Sequence, residues 1–458
     1  MVQTKAINEM PFKKWSDEVY ELEAHGDKFY FSPTQAKVDS HPFEISRSLP
    51  TANSRTKKSK LVGLQLEMVH GCNLACSYCA VGQGNFLSGS SAPIKSKVIT
   101  MEVIQQAVQW MFQTFDDLDS FEVLYYGGEP LLFPDIMEQS AEYIQAFCNE
   151  RGVKSFFKVV TNGTIVNERI LNTFSKYKMG VQLSVDGPPE LHDAVRIYPS
   201  GKGSFHRIKK NFDEMMRYGN IDTHVLAVYK PGAKTIVQLV DEMEKWFPEV
   251  PIVVRMETPQ CSSSYKLSEE QEIKMANDII EEYKGVSMEI IKRLEQGLFL
   301  KSIQNLLNVF HSSFESTRKV SFAHRSCSVG NRLISVGPNG KVNPCHGFPM
   351  TGTRSMGTFK KEQTDVSRAH LDSIATMVDV DTRQPCSSCF ARYHCGGYCS
   401  VVSEHKTGSI SNAWTGHCHA IRAKSVYGLW LYQTIKDRFP EVITTLEMND
   451  LVRYLRNN

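Results

Sequence analysis

From residue 61 to residue 256, short runs of apolar residues recur between longer stretches in which apolar residues return every three or four positions. The runs 61–67, 121–126, 156–160, 181–185, 224–228 and 252–256 are rich in β-branched and aromatic residues and predict strands. The stretches between them predict amphipathic helices. In 101–115 the stripe is Ile104, Ala107, Val108, Met111, Phe112 and Phe115, with Thr100 placed as its N-cap. In 134–150 it is Ile136, Met137, Ala141, Ile144 and Phe147, and 167–177, 204–218 and 234–247 follow the same rule. Six strands, each followed by a helix, predict a parallel sheet curved into a partial (β/α)6 barrel of the α/β class, although a doubly wound open sheet would produce a similar pattern. In such barrels chemistry collects on the loops after the strands.

Outside the barrel the pattern changes. Residues 1–60 read as a lead-in, with a hairpin around Gly26-Asp27 and a polar, basic linker at 50–60. Residues 260–326 read as a helical bridge opened by a capping box of Ser268 and Gln271. Residues 327–425 are rich in cysteine, glycine and histidine, and 426–458 complete two closing helices that begin near residues 419 and 440.

The chain of 458 residues is long enough for two or three domains. A net charge of +2 points to neither nucleic acid nor a membrane surface. No apolar run reaches the ~20 residues that span a bilayer. Lys5, Glu9, Lys13 and Lys14 make the first residues unlike a signal peptide, so a reducing, cytoplasmic setting is expected. There, twelve cysteines point to metal ligands more than to disulfides.

Ten of the twelve fall in two arrays. Cys72, Cys76 and Cys79 lie on the loop after the first strand with C-x3-C-x2-C spacing. Three thiolates are one short of the four that hold a [4Fe–4S] cluster, which leaves one iron open to a small molecule. A zinc site would need a fourth ligand, for which His70 is the near candidate. The second array comprises Cys327, Cys345, Cys386, Cys389, Cys395, Cys399 and Cys418, enough soft ligands for two zinc ions or two clusters. Cys148 continues a helical stripe and reads as packing, while Cys261 has no assignment. Gly127-Gly128-Glu129-Pro130, Thr161-Asn162-Gly163 and Ser184-Val185-Asp186-Gly187 end successive strands. Each could be a simple turn, but their shared placement favours a ligand-lining role.

The cysteine loop, with Tyr78 between its last two cysteines, resembles the signature of radical S-adenosylmethionine (SAM) enzymes. The seven-cysteine array resembles the SPASM domain of radical SAM peptide maturases, and the likeness extends over about residues 61–425. It implies three [4Fe–4S] clusters: one at Cys72, Cys76 and Cys79 that binds SAM, one held by Cys327, Cys345 and Cys399, and one held by Cys386, Cys389, Cys395 and Cys418. It implies SAM contacts from Tyr78, Gly127, Gly128, Glu129, Asn162, Ser184 and Arg196, with Glu129 taking the amino group. A ribosomal precursor peptide as substrate and a flavodoxin or ferredoxin as electron donor follow from the same likeness. Among such maturases, those forming cysteine thioether crosslinks are the nearest match. Carbon–carbon crosslinking and sulfatase-maturing enzymes are the alternatives, with a non-catalytic iron–sulfur carrier as a reading of another class. Sulfatase-maturing relatives place an aspartate where this chain has His346, so His346 is a candidate proton acceptor or a donor to cluster sulfur.

Overall fold

Strand β5 (Leu61–Glu67) buries Val62, Leu64 and Leu66 on one face and turns Gly63, Gln65 and Glu67 to the other. That alternation is what lets one strand serve both a helix layer and a barrel interior. The computed structural model describes residues 12–16, 18–44, 61–79, 82, 97–256, 268–298, 301–319, 323–325, 327–350, 353–359 and 365–457. The expected linker at 50–60 and Cys261 therefore lie outside the described residues.

The barrel follows the expected alternation: α1 (Met101–Thr114), β6 (Ser120–Tyr126), α2 (Pro134–Asn149), β7 (Lys154–Thr161), α3 (Glu168–Lys176), β8 (Gly180–Ser184), α4 (Phe205–Tyr218), β9 (Thr223–Tyr229), α5 (Ile236–Trp246) and β10 (Ile252–Met256). Strands β5 to β10 are parallel and adjacent in chain order. Thr100 caps α1 by accepting from Val103 N, and Asn167 caps α3 through Ile170 N. Cys148 is fully buried on α2, as its stripe predicts.

The bridge holds α6 (Glu269–Glu295), with both halves of the Ser268/Gln271 capping box formed, then α7 (Lys301–Leu307) and α8 (His311–Arg318). The cysteine-rich region contributes β11 (Leu333–Val336), β12 (Lys341–Asn343), β13 (Gly357–Thr358), α9 (Arg368–Met377) and α10 (Ser400–Thr407). It is not a separate layer. Strand β11 pairs in parallel with β5, from Leu333↔Gly63 to Val336↔Leu66, and β12 and β13 extend the sheet to nine strands. Gly63 permits this join, since a Cβ there would stand 2.7 Å from Leu333 Cδ1.

Helix α11 (Cys418–Arg438) runs unbroken through residue 425, where a boundary was expected, and α12 (Pro440–Asn457) follows it. Ala423, Val426, Leu429, Leu431 and Ile435 bury several faces of α11, which suits a helix surrounded by neighbours. The lead-in is a four-stranded antiparallel sheet, because β1 (Phe12–Lys14) and β4 (Lys37–Asp39) flank the expected hairpin of β2 (Tyr20–Ala24) and β3 (Asp27–Ser32). It docks on the cysteine-rich end. Tyr20 Oη donates to Ser388 O at 3.3 Å, and Trp430 Nε1 donates to Asp27 Oδ2 at 2.9 Å.

Candidate active site and metal centres

The loop after β5 is held by the ends of its neighbours. Gly128 N donates to Val69 O at 2.9 Å and Glu129 N to Gly71 O at 3.0 Å. A Cβ on Gly128 would stand 1.9 Å from Gly71 O, so this glycine exists for chain against chain. Glu129 is 1% exposed, and its carboxylate faces the protein. Oε1 accepts from Leu131 N at 3.0 Å and Thr161 Oγ1 at 2.7 Å, and Oε2 accepts from Asn162 N at 2.7 Å. Burial nevertheless raises its pKa to about 7.

Asn162 turns toward the same loop. Its Nδ2 donates to Asn73 Oδ1 at 2.9 Å and approaches Cys72 Sγ at 3.6 Å. Burial, with the nearby Glu129 charge, pushes the Cys72 thiol up to about 12, and burial opposed by Arg196 leaves Cys76 at about 11. Loading iron onto these thiols must release their protons.

Sequence reasoning passed over Asp186, which organises the other side of the loop. It accepts from Tyr78 Oη, from Arg196 Nε and Nη2, and from Val228 N at 3.0 Å. The Arg196 charge also acts on Cys76, and its guanidinium lies 5.3 Å from the Tyr78 ring centre. Tyr78 and Arg196 thus clamp the cysteine loop to the end of β8. The motif containing Asp186 was visible, but its partners lie on other loops. Ser184 closes β8, and among the described residues its hydroxyl has no partner.

The seven later cysteines divide into two sets. Cys345 is perturbed by Cys327 and Cys399, and Cys399 by Cys327. Cys395 and Cys418 each feel Cys386 and Cys389, and these four line one cleft with Arg392, Trp414 and Arg422. Cys399 caps α10, where the N–H groups of Val401 and Val402 favour its thiolate. Among the described residues, no three cysteine sulfurs lie mutually within 4.8 Å.

His346 follows Cys345 and lies between these centres. Its N–H donates to Gln65 Oε1 at 2.9 Å, and its ring sits 4.4 Å from that of Tyr126. Burial pulls the imidazole down to about 4, with Glu67 opposing and Arg255 adding to the fall. A ring held neutral so strongly is a poor proton acceptor at neutral pH, and its Nδ1 has no hydrogen-bond partner among the described residues. Tyr126 feels both Cys79 and Cys345. The end of β6 therefore lies near both the first cysteine loop and the first auxiliary set.

A parallel half-barrel with a three-cysteine loop at its mouth defines a radical SAM domain, and residues 66–241 match the Radical SAM superfamily model. The chain carries that domain, which implies a [4Fe–4S] cluster and SAM, and Cys72, Cys76 and Cys79, which form no disulfide and lie close enough to act on one another's charge, fit such a group. A cysteine-type anaerobic sulfatase-maturating enzyme of Clostridium novyi is 27% identical over 207 residues, 43% of this chain and 52% of that protein. The chain thus spans about half the length of the sulfatase-maturating relatives it matches. The radical SAM cyclopropyl synthase TigE of Paramaledivibacter caminithermalis is 20% identical over 368 residues, 78% of this chain and 72% of that protein. The solved structure of native anSMEcpe with bound AdoMet shares the fold, with a TM-score of 0.61 and 18% identity over 83% of this chain and 100% of that one. No described helix is long and apolar enough to cross a membrane.

Proposed function

We propose that this protein is a radical SAM maturase of a ribosomally made peptide, joining a cysteine sulfur to carbon. The observation that supports the reading is Tyr126 at the end of β6, on which the charges of both Cys79 in the SAM-binding loop and Cys345 in the first auxiliary set act, so that a substrate could lie in the space between them. With its cluster and SAM bound, the first site supplies a 5′-deoxyadenosyl radical able to take a hydrogen atom from an unactivated C–H. The chain's part is to hold the substrate carbon and sulfur in that space and exclude water. Thioether formation breaks one C–H and one S–H bond and makes one C–S bond. The hydrogen atom leaves with 5′-deoxyadenosine, the thiol proton goes to solvent, and one electron passes to the enzyme. A flavodoxin or ferredoxin supplies the electron that SAM cleavage consumes.

Cys327, Cys345 and Cys399 would hold the first auxiliary [4Fe–4S] cluster, and Cys386, Cys389, Cys395 and Cys418 the second. The first set has no fourth cysteine among the described residues, which suits an opening for a substrate thiolate. Tyr78, Gly127, Gly128, Asn162, Ser184 and Arg196 surround the place where SAM would sit, with the free Ser184 hydroxyl pointing to direct contact. A sulfatase-maturing activity is the second reading, favoured by the Clostridium novyi relative. The weakly basic His346 argues against it, since that position would have to accept a proton.

The test is anaerobic reconstitution followed by mass spectrometry of small peptides co-expressed with the enzyme. The expected product has lost two hydrogens and one alkylatable thiol. Conversion of a sulfatase-derived peptide to an aldehyde, with no crosslinked product, would favour the second reading.

A further inference from the structure

Phe156 is 48% exposed although it lies inside strand β7, and Leu61 at the start of β5 is 39% exposed. Their neighbours Phe157 and Val62 are buried under the helix layer, so alternation turns Phe156 and Leu61 to the concave face of the sheet. An ion pair fixes that face independently. Lys158 Nζ lies 2.5 Å from Glu122 Oε2, and Phe156 stands one pleat from Lys158 and directly opposite Glu122. Glu122 in turn stands opposite Gly63, over which Leu333 leans from β11, its Cδ1 2.7 Å from the place a Cβ would take. Half-buried Leu124 and Val160 continue the same face, since Leu124 pairs with Lys158 and Val160 is the next inward residue of β7.

Toward the mouth the inward residues turn polar. Gln182 pairs with Val160 on one side and His224 on the other, with Gln182 Oε1 3.3 Å from His224 Nε2. Burial lowers the His224 pKa, so this pair is neutral, as the Glu122–Lys158 pair is in sum. Beyond them stand Asn162 and Ser184, at the end where SAM would sit. Phe156 and Asn162 are six residues apart, which is about 20 Å of extended chain. The concave face thus runs from an apolar floor, through paired donors and acceptors, to the reaction end. Contiguous apolar surface of this kind marks a binding site, and mixed neutral pairs suit the N–H and C=O groups of a peptide.

We infer that this face docks the substrate peptide as an extended chain, with one apolar side chain of the peptide seated against Phe156 and the floor around it, about six residues from the carbon presented to the radical. The inference rests on the peptide-maturation reading and adds a specificity determinant to it. The floor is sunk in the curve of the barrel and is continuous with Asn162 and Ser184, which admits a single extended strand and not a folded domain. Each residue of such a strand advances about 3.3 Å, so the polar pairs meet its backbone midway while Phe156 takes a side chain at the far end.

The experiment uses the reconstituted enzyme and a set of fluorescently labelled peptides of equal length. Each carries one cysteine in a serine and glycine background and one leucine, which is moved stepwise along the chain. Binding is read by fluorescence anisotropy and reaction by loss of two hydrogens. Leucine within one narrow window of positions should tighten binding about ten- to hundredfold over the parent with serine there, the worth of burying one such side chain. Phe156→Ser should erase that window, and Phe156→Leu should keep most of it. The thermal midpoint of the peptide-free protein should not move in either variant, because the ring is already half in water. Equal binding at every leucine position overturns the site. So does a large fall in the Phe156→Ser midpoint, for the ring is then covered by the chain itself. A change of oligomeric state in Phe156→Ser with the window kept overturns it too, for the floor then seats a second copy. A leucine window without any reaction, while SAM is still cleaved, leaves the docking face standing and strikes the maturation reading instead.

Discussion

Asp186 holds Arg196 through two hydrogen bonds, Nε to Oδ2 at 2.7 Å and Nη2 to Oδ1 at 3.3 Å, with Cys76 within reach of the same guanidinium. Both side chains of the pair are nearly inaccessible, at 4% for Asp186 and 11% for Arg196. Removing one partner of a buried pair leaves an uncompensated charge and typically costs about 3–5 kcal/mol. Asp186→Asn should therefore lower thermal stability and reduce the iron retained at the first site. Iron analysis and the EPR signal that responds to added SAM check this. A variant that keeps its stability and its SAM-responsive signal would show that the clamp is dispensable.

Glu129 is the residue proposed to meet the amino group of SAM, and its carboxylate also accepts three hydrogen bonds from the protein, which leaves one of its about four acceptor positions. Glu129→Gln sets an amide N–H against at least one of these donors. Losing a bond to a charged acceptor costs about 1.5–3 kcal/mol, so unfolding of the unloaded protein should shift by that order. Chemical denaturation without SAM reads it directly. An unchanged midpoint together with weakened SAM binding would assign the carboxylate to ligand contact alone.

Much of this was legible in the chain. The six barrel strands fall within two residues of their expected ends, because alternation of Val62, Leu64 and Leu66 against Gly63 and Gln65 has only one physical solution beside a helix layer. The division of Cys327, Cys345 and Cys399 from the other four came from the family resemblance and not from the spacing, which alone allowed two zinc ions or two clusters. What escaped depends on distant contacts. Pairing of β11 with β5 joins segments separated by the whole barrel, and three-residue strands such as β1 and β4 are too short to carry a period. Asp186 sat inside a recognised strand-end motif, but its importance comes from Tyr78 and Arg196, which chain order does not bring together.

Acid lability should be traceable to His192. It is fully buried, its Nδ1 accepts from Asp186 N at 3.3 Å, and its Nε2 bonds Ser204 Oγ at 2.9 Å. Burial lowers its pKa from 6.5 to about 4. Between those values the unfolded chain binds a proton here that the folded chain does not. Stability therefore rises with pH through the window and is lost as pH falls from about 6.5 toward 4, by roughly 3 kcal/mol at the lower end. His192→Gln, which preserves one acceptor and one donor, should flatten that part of the unfolding curve. An equally steep acid limb in the variant would place the lability elsewhere.

Arg383 offers the sharpest check on the auxiliary sites. It is 2% exposed, with Nη1 donating to Gly397 O at 2.7 Å and Nη2 to Asn412 O at 3.3 Å, while its Nε is buried without a partner. No carboxylate pairs with it among the described residues. Its charge instead feels Cys386, Cys395, Cys399 and Cys418, which belong to both auxiliary sets. A buried guanidinium needs a counter-charge, and deprotonated cysteines gathered around iron and sulfide would supply one. In the unloaded protein Arg383 is an unpaired cation holding two carbonyls, so Arg383→Met loses those bonds but also sheds a buried charge. In the loaded protein the same change strips an anionic centre of its internal partner. Thermal midpoints of loaded and unloaded protein should thus diverge, with the variant falling much further in the loaded state and retaining less auxiliary iron. Arg383→Lys keeps the charge and should recover most of the difference. Equal losses in both states would reduce Arg383 to a staple for the backbone at Gly397 and Asn412.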